Sequence, residues 1–262
     1  VMDIADLADT IRDAFYIANK GRKGPVLIDI PKDITALSYD YEPKTPVRRA
    51  PHFDLNETQF NRAIKLISES KRPLLYAGGG VVSAGAEKEF EAFAERLDAP
   101  VSASLMCQGA YDQKKTRYLG MLGMHGTKVS ALAMKECDLF IAVGSRFSDR
   151  VTCNTDLFAR HCPVIHIDID AKEFNKNVKA DAALRGNASA VLTELLGRMG
   201  QQNHAEWMQK IVKWKEENPL LQKDTQGGVT PQFVMETLGN LTDSQAMITT
   251  EVGQHQMWAV QY

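Results

Sequence analysis

Residues 119–150, LGMLGMHGTKVSALAMKECDLFIAVGSRFSDR, gather the residue types best able to hold a flat, anionic ligand. The segment opens on a glycine-rich turn, Leu122-Gly123-Met124-His125-Gly126, and passes through a helix-like stretch to an apolar strand over residues 139–143. The strand stops at Gly144, and Arg146 and Arg150 follow at once. In a parallel α/β sheet, ligands bind just beyond the carboxyl ends of strands, where small residues let them approach the backbone. A guanidinium placed there suits bidentate contact with phosphate or stacking on a planar ring. The indicated chemistry is the binding of a nucleotide-like cofactor across a strand edge. The competing reading is a βα unit with turn glycines and solvated arginines.

Other candidates fall at equivalent places. Gly78-Gly79-Gly80 follows a predicted strand and precedes a helix, where backbone N–H groups can meet a phosphate. It is not a GxGxxG fingerprint, and three glycines serve a tight turn equally well. Asp168 and Asp170 end a further strand, where a carboxylate can accept from ribose or ribityl hydroxyls. Asp170 stands before Ala171-Lys172-Glu173 and is assigned mainly to helix capping. His125 can bond a cofactor from its turn, His166 reads as a core or sheet-face histidine, and His161 as a surface residue. No Ser/His/Asp motif, HExxH, Walker sequence or acid–base carboxylate pair is present. Cofactor binding is therefore far more evident than catalysis. The cysteines Cys107, Cys137, Cys153 and Cys162 show no CxxC pair and no zinc-ligand spacing. Cys107 and Cys137 read as small core residues, so a reduced, cytoplasmic protein free of cysteine-bound metal is expected.

The elements that must position these residues follow from periodicity. At 262 residues the chain is one large domain or two ordinary ones. Its 44% hydrophobic and 24% charged residues are ordinary for a globular protein, and a net charge of -2 offers nothing to nucleic acid or an anionic membrane. No apolar run approaches the roughly 20 residues that span a bilayer. Ile4, Leu7, Ala8, Ile11, Phe15 and Ala18 share a helical face, and residues 26–30 read as a strand. Pro43, Pro46 and Pro51 punctuate an aperiodic connection. Helices near 57–70, 84–97, 127–135, 188–199 and 205–217 then alternate with strands at 74–77, 100–104, 139–143 and 164–167. That alternation predicts an α/β fold with a mostly parallel, Rossmann-like sheet covered on both faces. Thr230 and Pro231 open a helix to about residue 241, residues 247–250 read as a strand, and a βα turn follows. Both ends lie inside regular elements, so the chain is expected to be a piece of a longer protein.

Taken in order, six segments resemble the catalytic subunit of acetohydroxyacid (acetolactate) synthase, a thiamine-diphosphate enzyme. They are GRKGPVLIDIPKD at 21–33, AGGGV at 77–81, LGMLGMHGT at 119–127, ECDLFIAVGSRFSDRVT at 136–152, HIDIDAKEFNKN at 166–177 and TTEVGQHQMW at 249–258. The resemblance implies three modules: the tail of a pyrimidine-binding domain (1–33), a DHS-like central FAD-binding domain (54–200) and the start of a diphosphate-binding domain (230–262). Residues 34–53 and 201–229 would connect them. It implies FAD contacts from Arg22, Gly78, Gly79, Gly80, Ser104, Leu105, Leu122, Gly123, Met124, His125, Gly144, Arg146, Arg150, Asp168 and Ile169. Gly253, Gln254 and His255 match the family's contact to thiamine diphosphate. Two departures stand out: Ser148-Asp149-Arg150 replaces Asp-Asp-Arg, and Gly186-Asn187 replaces Gly-Asp.

The implied reaction condenses two pyruvates, or pyruvate and 2-ketobutyrate, with loss of CO2 in branched-chain amino-acid biosynthesis. Thiamine diphosphate and Mg2+ serve it, while FAD is chiefly structural. The implied partners are the 2-keto acids, further copies of the chain and a regulatory subunit, with no nucleic acid and no membrane. The activating glutamate and the magnesium ligands are not found in these 262 residues, since Glu251 precedes the diphosphate turn. No catalytic and no metal residue is therefore expected here, and the polypeptide alone is expected to be inert. Related alternatives are a thiamine-diphosphate decarboxylase or oxidase carrying ADP or redox-active FAD. A non-catalytic nucleotide-binding module is a third, and a nicotinamide dehydrogenase lacks its glycine fingerprint.

Overall fold

The computed structural model describes residues 1–45, 55–220 and 227–262. It falls into two compact units, Val1–Phe53 and Asp54–Tyr262. In the first, Asp3 accepts from the Ala5 N–H (2.9 Å) and starts a 3-10 turn that runs into helix α1 (Leu7–Asn19). A single turn, α2 (Lys32–Thr35), follows Pro31. The strand expected at 26–30 does not form: these residues are irregular, and Leu27 is exposed. An apolar run becomes a strand only when a neighbour takes its backbone hydrogen bonds. Among the described residues this unit offers no such neighbour, only the Val1 ammonium donating to the Asp29 carbonyl (2.8 Å). Pro46 and Pro51 lie outside the described residues.

The second unit contains the expected alternation of helices and strands, with two further strands at Tyr118–Met121 and Ala182–Arg185. Its elements are α3 (Glu57–Glu69), β1 (Pro73–Ala77), α4 (Gly79–Ala84), α5 (Glu87–Leu97), β2 (Val101–Ala103), β3 (Tyr118–Met121), α6 (Lys128–Glu136) and β4 (Leu139–Val143). They continue with α7 (Asp149–Thr152), β5 (Val164–Asp168), β6 (Ala182–Arg185), α8 (Ala188–Arg198), α9 (Ala205–Glu217), α10 (Pro231–Leu241) and α11 (Gln254–Gln261). Six parallel strands form one sheet in the order β3-β2-β1-β4-β5-β6. Leu75 pairs with Ile141 and Ala77 with Val143, so β1 and β4 form the fully buried centre. Strands 3.3 Å per residue long with side chains alternating between faces send Leu74, Tyr76, Phe140 and Ala142 to one side. There they meet Val129 and Ala133 of α6 and Trp207 and Ile211 of α9. Leu75, Ile141 and Ile165 face the other side, which α3, α5 and α8 cover, α8 packing on both other helices.

Local chemistry sets the helix starts. Thr127 accepts from Ser130 N (3.1 Å) to cap α6, Asn187 from Ser189 N (3.0 Å) to cap α8, and Thr230 from Phe233 N (3.2 Å) ahead of Pro231. A strand at 247–250 does not form; Met247 is almost fully exposed and has no strand beside it among the described residues.

Where β1 and β4 end, backbone meets backbone. Gly78 N donates to Val143 O (2.8 Å) and Gly80 N to Gly144 O (3.0 Å). A Cβ built on Gly78 would lie 2.1 Å from Gly144 O, one on Gly80 2.5 Å from Gly144 Cα, and one on Gly144 2.5 Å from Gly80 Cα. Gly144 also takes the left-handed region at φ +60. The turn beyond it is fixed from below by His166 of β5, whose Nε2 lies 2.8 Å from the Ser145 carbonyl. A carbonyl only accepts, so Nε2 carries the proton. The ring is fully buried between Phe147 (4.8 Å) and Phe174 (5.1 Å), and its Nδ1 has no partner. Burial pushes its pKa down to about 4, against the opposing pull of the Ser145 hydrogen bond and of Glu173.

Two outcomes follow from this packing. Gly144→Ala should lower the melting temperature clearly, because it combines a backbone clash with a left-handed φ; Gly197→Ala, in α8 with nothing within 4 Å of its new Cβ, should raise stability by up to about 1 kcal/mol. For His166, the unfolded state takes up a proton near pH 6.5 while the folded state resists until about pH 4. Its contribution is complete above pH 6.5 and is lost as pH falls towards 4, by at most about 3 kcal/mol. Denaturant unfolding across that range should show the loss, and His166→Gln, which keeps a donor but cannot titrate, should flatten it.

Candidate cofactor-binding site

Chain order runs outward in both directions from the β1/β4 pair, so the sheet reverses its winding there. Crevices for ligands open at such a switch point, outside the carboxyl ends of the strands. The loops leaving β1, β2, β3, β4 and β5 carry most of the residues singled out from the sequence.

The loop after β4 is the most constrained. Gly144 (φ +60) and Phe147 (φ +50) are both left-handed, and Phe147, although not glycine, is held there by complete burial. Asn177 Nδ2 donates to Phe147 O (2.9 Å), and His166 holds Ser145 O. Between these anchors Arg146 is exposed; Arg150, in α7, is exposed too. Among the described residues neither guanidinium has a carboxylate or hydrogen-bond partner. Two cations held at one strand edge without counter-charges can receive a phosphate without first breaking an ion pair.

The glycine-rich turn reaches the same loop. Met124 N donates to Arg150 O (2.8 Å), and a Cβ on Gly123 (φ +116) would lie 2.5 Å from that oxygen. Gly126 is equally confined, 2.5 Å from Met121 O by the same construction. Leu122 is buried and offers only its backbone to a ligand, whereas Met124 and His125 are exposed. The turn and the arginine segment, adjacent in the reading of the sequence, are thus joined in space.

After β2, Leu105 is partly exposed, and the Ser104 hydroxyl is buried without a partner. The Tyr76 hydroxyl beside it lies near Ser104 and Ser145 but likewise makes no hydrogen bond, and burial drives its pKa far up. Buried hydroxyls are normally paired, so these unsatisfied groups at the strand ends suit a polar ligand. Asp168 is nearly buried at the end of β5, with Oδ1 accepting from Asp170 N (2.8 Å); Ile169 follows, half-buried. Asp170 caps the next turn through Lys172 N (3.0 Å), the role assigned to it from sequence.

Some candidates have more structural duty than their spacing suggested. The N–H groups of Gly78 and Gly80 are spent on β4, leaving Gly79 as the member of the triplet whose N–H is not so engaged. Asn187 caps α8, a task for which asparagine and aspartate are equivalent. Arg22 lies exposed in the first unit, after Gly21 in a left-handed conformation. Gly253 precedes α11, and the His255 ring folds over it, 2.8 Å from where a Cβ would be. Gln254 and His255 are exposed, and α11 touches the glycine-rich turn through its other end, Gln261 Nε2 donating to His125 O (3.2 Å). Ser145, Phe147 and Asn177, which shape the arginine turn, carry no local sequence signal for that role. A dinucleotide with a diphosphate, a planar ring and sugar hydroxyls fits this donor set: unpaired guanidiniums, unsatisfied hydroxyls and one buried carboxylate.

Residues 60–195 match the family model for the thiamine pyrophosphate enzyme central domain. The chain is 43% identical to the acetolactate synthase large subunit of Parasynechococcus marenigrum, with all of the chain and 44% of that protein aligned. It is 40% identical to the large subunit of Haemophilus influenzae, over 97% of the chain and 46% of the relative, and 39% identical to that of Cyanidium caldarium, over 100% and 47%. The chain thus spans a little under half the length of the curated relatives it matches. With this match over its six-stranded sheet, the chain belongs to the thiamine pyrophosphate enzymes, of which it carries the central domain.

Proposed function

We propose that the chain is part of an acetolactate synthase large subunit and that its sheet edge holds FAD. The observation that carries the FAD reading is the pair of unpaired guanidiniums, Arg146 and Arg150, fixed beside a glycine-locked crevice at the switch point. Arg146 and Arg150 would meet the diphosphate, Asp168 the ribityl or ribose hydroxyls, and the Ser104 hydroxyl a further polar group. The backbone of Leu122, Gly123, Met124 and His125, with Leu105, Ile169 and the Gly78–Gly80 and Gly144 turns, would line the remainder. In this reading FAD is a structural ligand that ties five strand ends together.

The relatives' names support the synthase assignment; its substrates would be pyruvate and 2-ketobutyrate. Thiamine diphosphate, held with Mg2+, would supply the electron sink for decarboxylation. Gly253, Gln254 and His255 would contribute a contact to its diphosphate from the start of α11. Assembly with further copies, association with a regulatory subunit and a cytoplasmic location belong to the same proposal. No helix among the described residues is long and apolar enough to cross a membrane.

Titration of the purified chain with FAD, ADP and NAD tests the cofactor. FAD should bind with a shift of the flavin absorption band, and Arg146→Ala should weaken it roughly ten- to a hundred-fold, the loss of one charge-assisted contact. ADP binding without FAD would move the assignment to the decarboxylase relatives, and preference for NAD would sink it. Supplied with pyruvate, thiamine diphosphate and Mg2+, the 262-residue polypeptide is expected to form no acetolactate; product formation would show that it holds a complete active site.

A further inference from the structure

At the opposite end of the sheet, Cys137 converges with two neighbouring residues more than twenty positions further along the chain. Cys137 ends α6 just before β4, and His161 and Cys162 lie just before β5. Cys137 Sγ lies 3.8 Å from Cys162 Sγ and 3.9 Å from His161 Nε2, and the three donor atoms all lie within 4.8 Å of one another. Tetrahedral zinc, with Zn–S of about 2.3 Å and Zn–N of about 2.0–2.1 Å, sets its S···S edge at about 3.8 Å and its S···N edge at about 3.6 Å. The sulfurs are already at that separation, and the exposed imidazole, 3.9 Å from Cys137 Sγ and within 4.8 Å of both sulfurs, needs a swing of at most about 1 Å towards Cys162 to complete the S···N edges. A disulfide would require the sulfurs to close to about 2.05 Å and an oxidant to accept the electrons.

Electrostatics favours the same ligand. Both thiols are buried in the apolar cluster with Phe140, Val164 and Trp207, where an isolated thiolate is disfavoured unless a cation meets it. Two carboxylates, Asp138 next to Cys137 in sequence and Asp181 on the strand edge beside Val164, lie in this neighbourhood. Asp138 is held by the N–H groups of Lys71 (3.0 Å) and Arg72 (2.8 Å), and Asp181 by Val164 N (2.9 Å) and Arg62 (3.6 Å). A divalent, thiophilic cation would neutralise two thiolates in a place where little else can.

We propose that Cys137, Cys162 and His161 form a binding site for a zinc-like cation, with a fourth position open to solvent on the His161 side. Binding displaces both thiol protons to solvent and leaves two thiolates and a neutral imidazole on the metal. The ion clips the start of β4 to the start of β5, and with them the span of chain that carries Arg146 and Arg150. It lies at the edge remote from the cofactor crevice, so its role is structural and independent of the FAD reading.

The test is a cobalt(II) titration of the full 262-residue chain, reduced and stripped of metal. One equivalent should develop a thiolate-to-cobalt charge-transfer band that zinc then bleaches, with a rise in melting temperature. His161→Ala, exposed and so without consequence for folding, should weaken binding at least about ten-fold, and Cys137→Ser should abolish the band. Cys153→Ser, altering the exposed cysteine, should change nothing. Absence of the band, or a band that survives His161→Ala and Cys137→Ser unaltered, overturns the proposal.

Discussion

The contact on which the rest depends is the meeting of Gly78 and Gly80 with Gly144. Parallel strands β1 and β4 lie side by side at the centre, and their chains leave in opposite directions. For both exits to turn at the same level, backbone must pass backbone with no Cβ between. The distances of 2.1–2.5 Å from hypothetical Cβ atoms show that no other residue fits. Two N–H groups that a glycine-rich loop can offer to phosphate are spent on this closure instead. The charge for an anionic ligand must then come from side chains, and Arg146 stands two residues past the closure.

A side chain as long as arginine is useful in a site only when its backbone is fixed. Here the fixing is indirect. His166 grips the carbonyl before Arg146, Asn177 grips the one after it, and buried Phe147 anchors a left-handed turn. The cost is a neutral histidine with one unpartnered nitrogen in the core. The same ring therefore links the stability of the sheet to the placement of Arg146. That link explains why a histidine, and not an aliphatic residue, occupies the middle of a buried strand.

How much was legible in the sequence depended on whether the signal was local. Strands β1, β4 and β5 are largely apolar runs and were readable to within a residue, as were the capped helices α6, α8 and α10 and the amphipathic helix α9. Strand β3 contains Gly120 at φ +87 with a shifted register, and β6 is Ala-Ala-Leu-Arg at an edge; neither has an apolar or alternating pattern. The opposite error arose at 26–30 and 247–250, where apolar composition suggested strands but no neighbour offers hydrogen bonds. Glycine positions were legible, but not whether each faced ligand or backbone, since that depends on what approaches from another strand. The Cys137, His161 and Cys162 cluster was invisible because its members are joined only by the pairing of β4 with β5.

The two departures from the family pattern carry different physical weight. Asn187 spends its side chain on the α8 cap, where the amide oxygen serves as well as a carboxylate, so that substitution leaves the local structure intact. Ser148 stands between Arg146 and Arg150 in sequence, makes no capping hydrogen bond with its side chain, and is exposed. A carboxylate there would draw on one of the two guanidiniums; a hydroxyl does not. The loop therefore carries one negative charge fewer, while the hydroxyl keeps a weaker, neutral acceptor at the same place. Phosphate contacts from arginine are about twice as strong as neutral hydrogen bonds. For the FAD proposed at this edge, recognition would accordingly lean towards the diphosphate, with Asp168 as a buried acceptor for sugar hydroxyls.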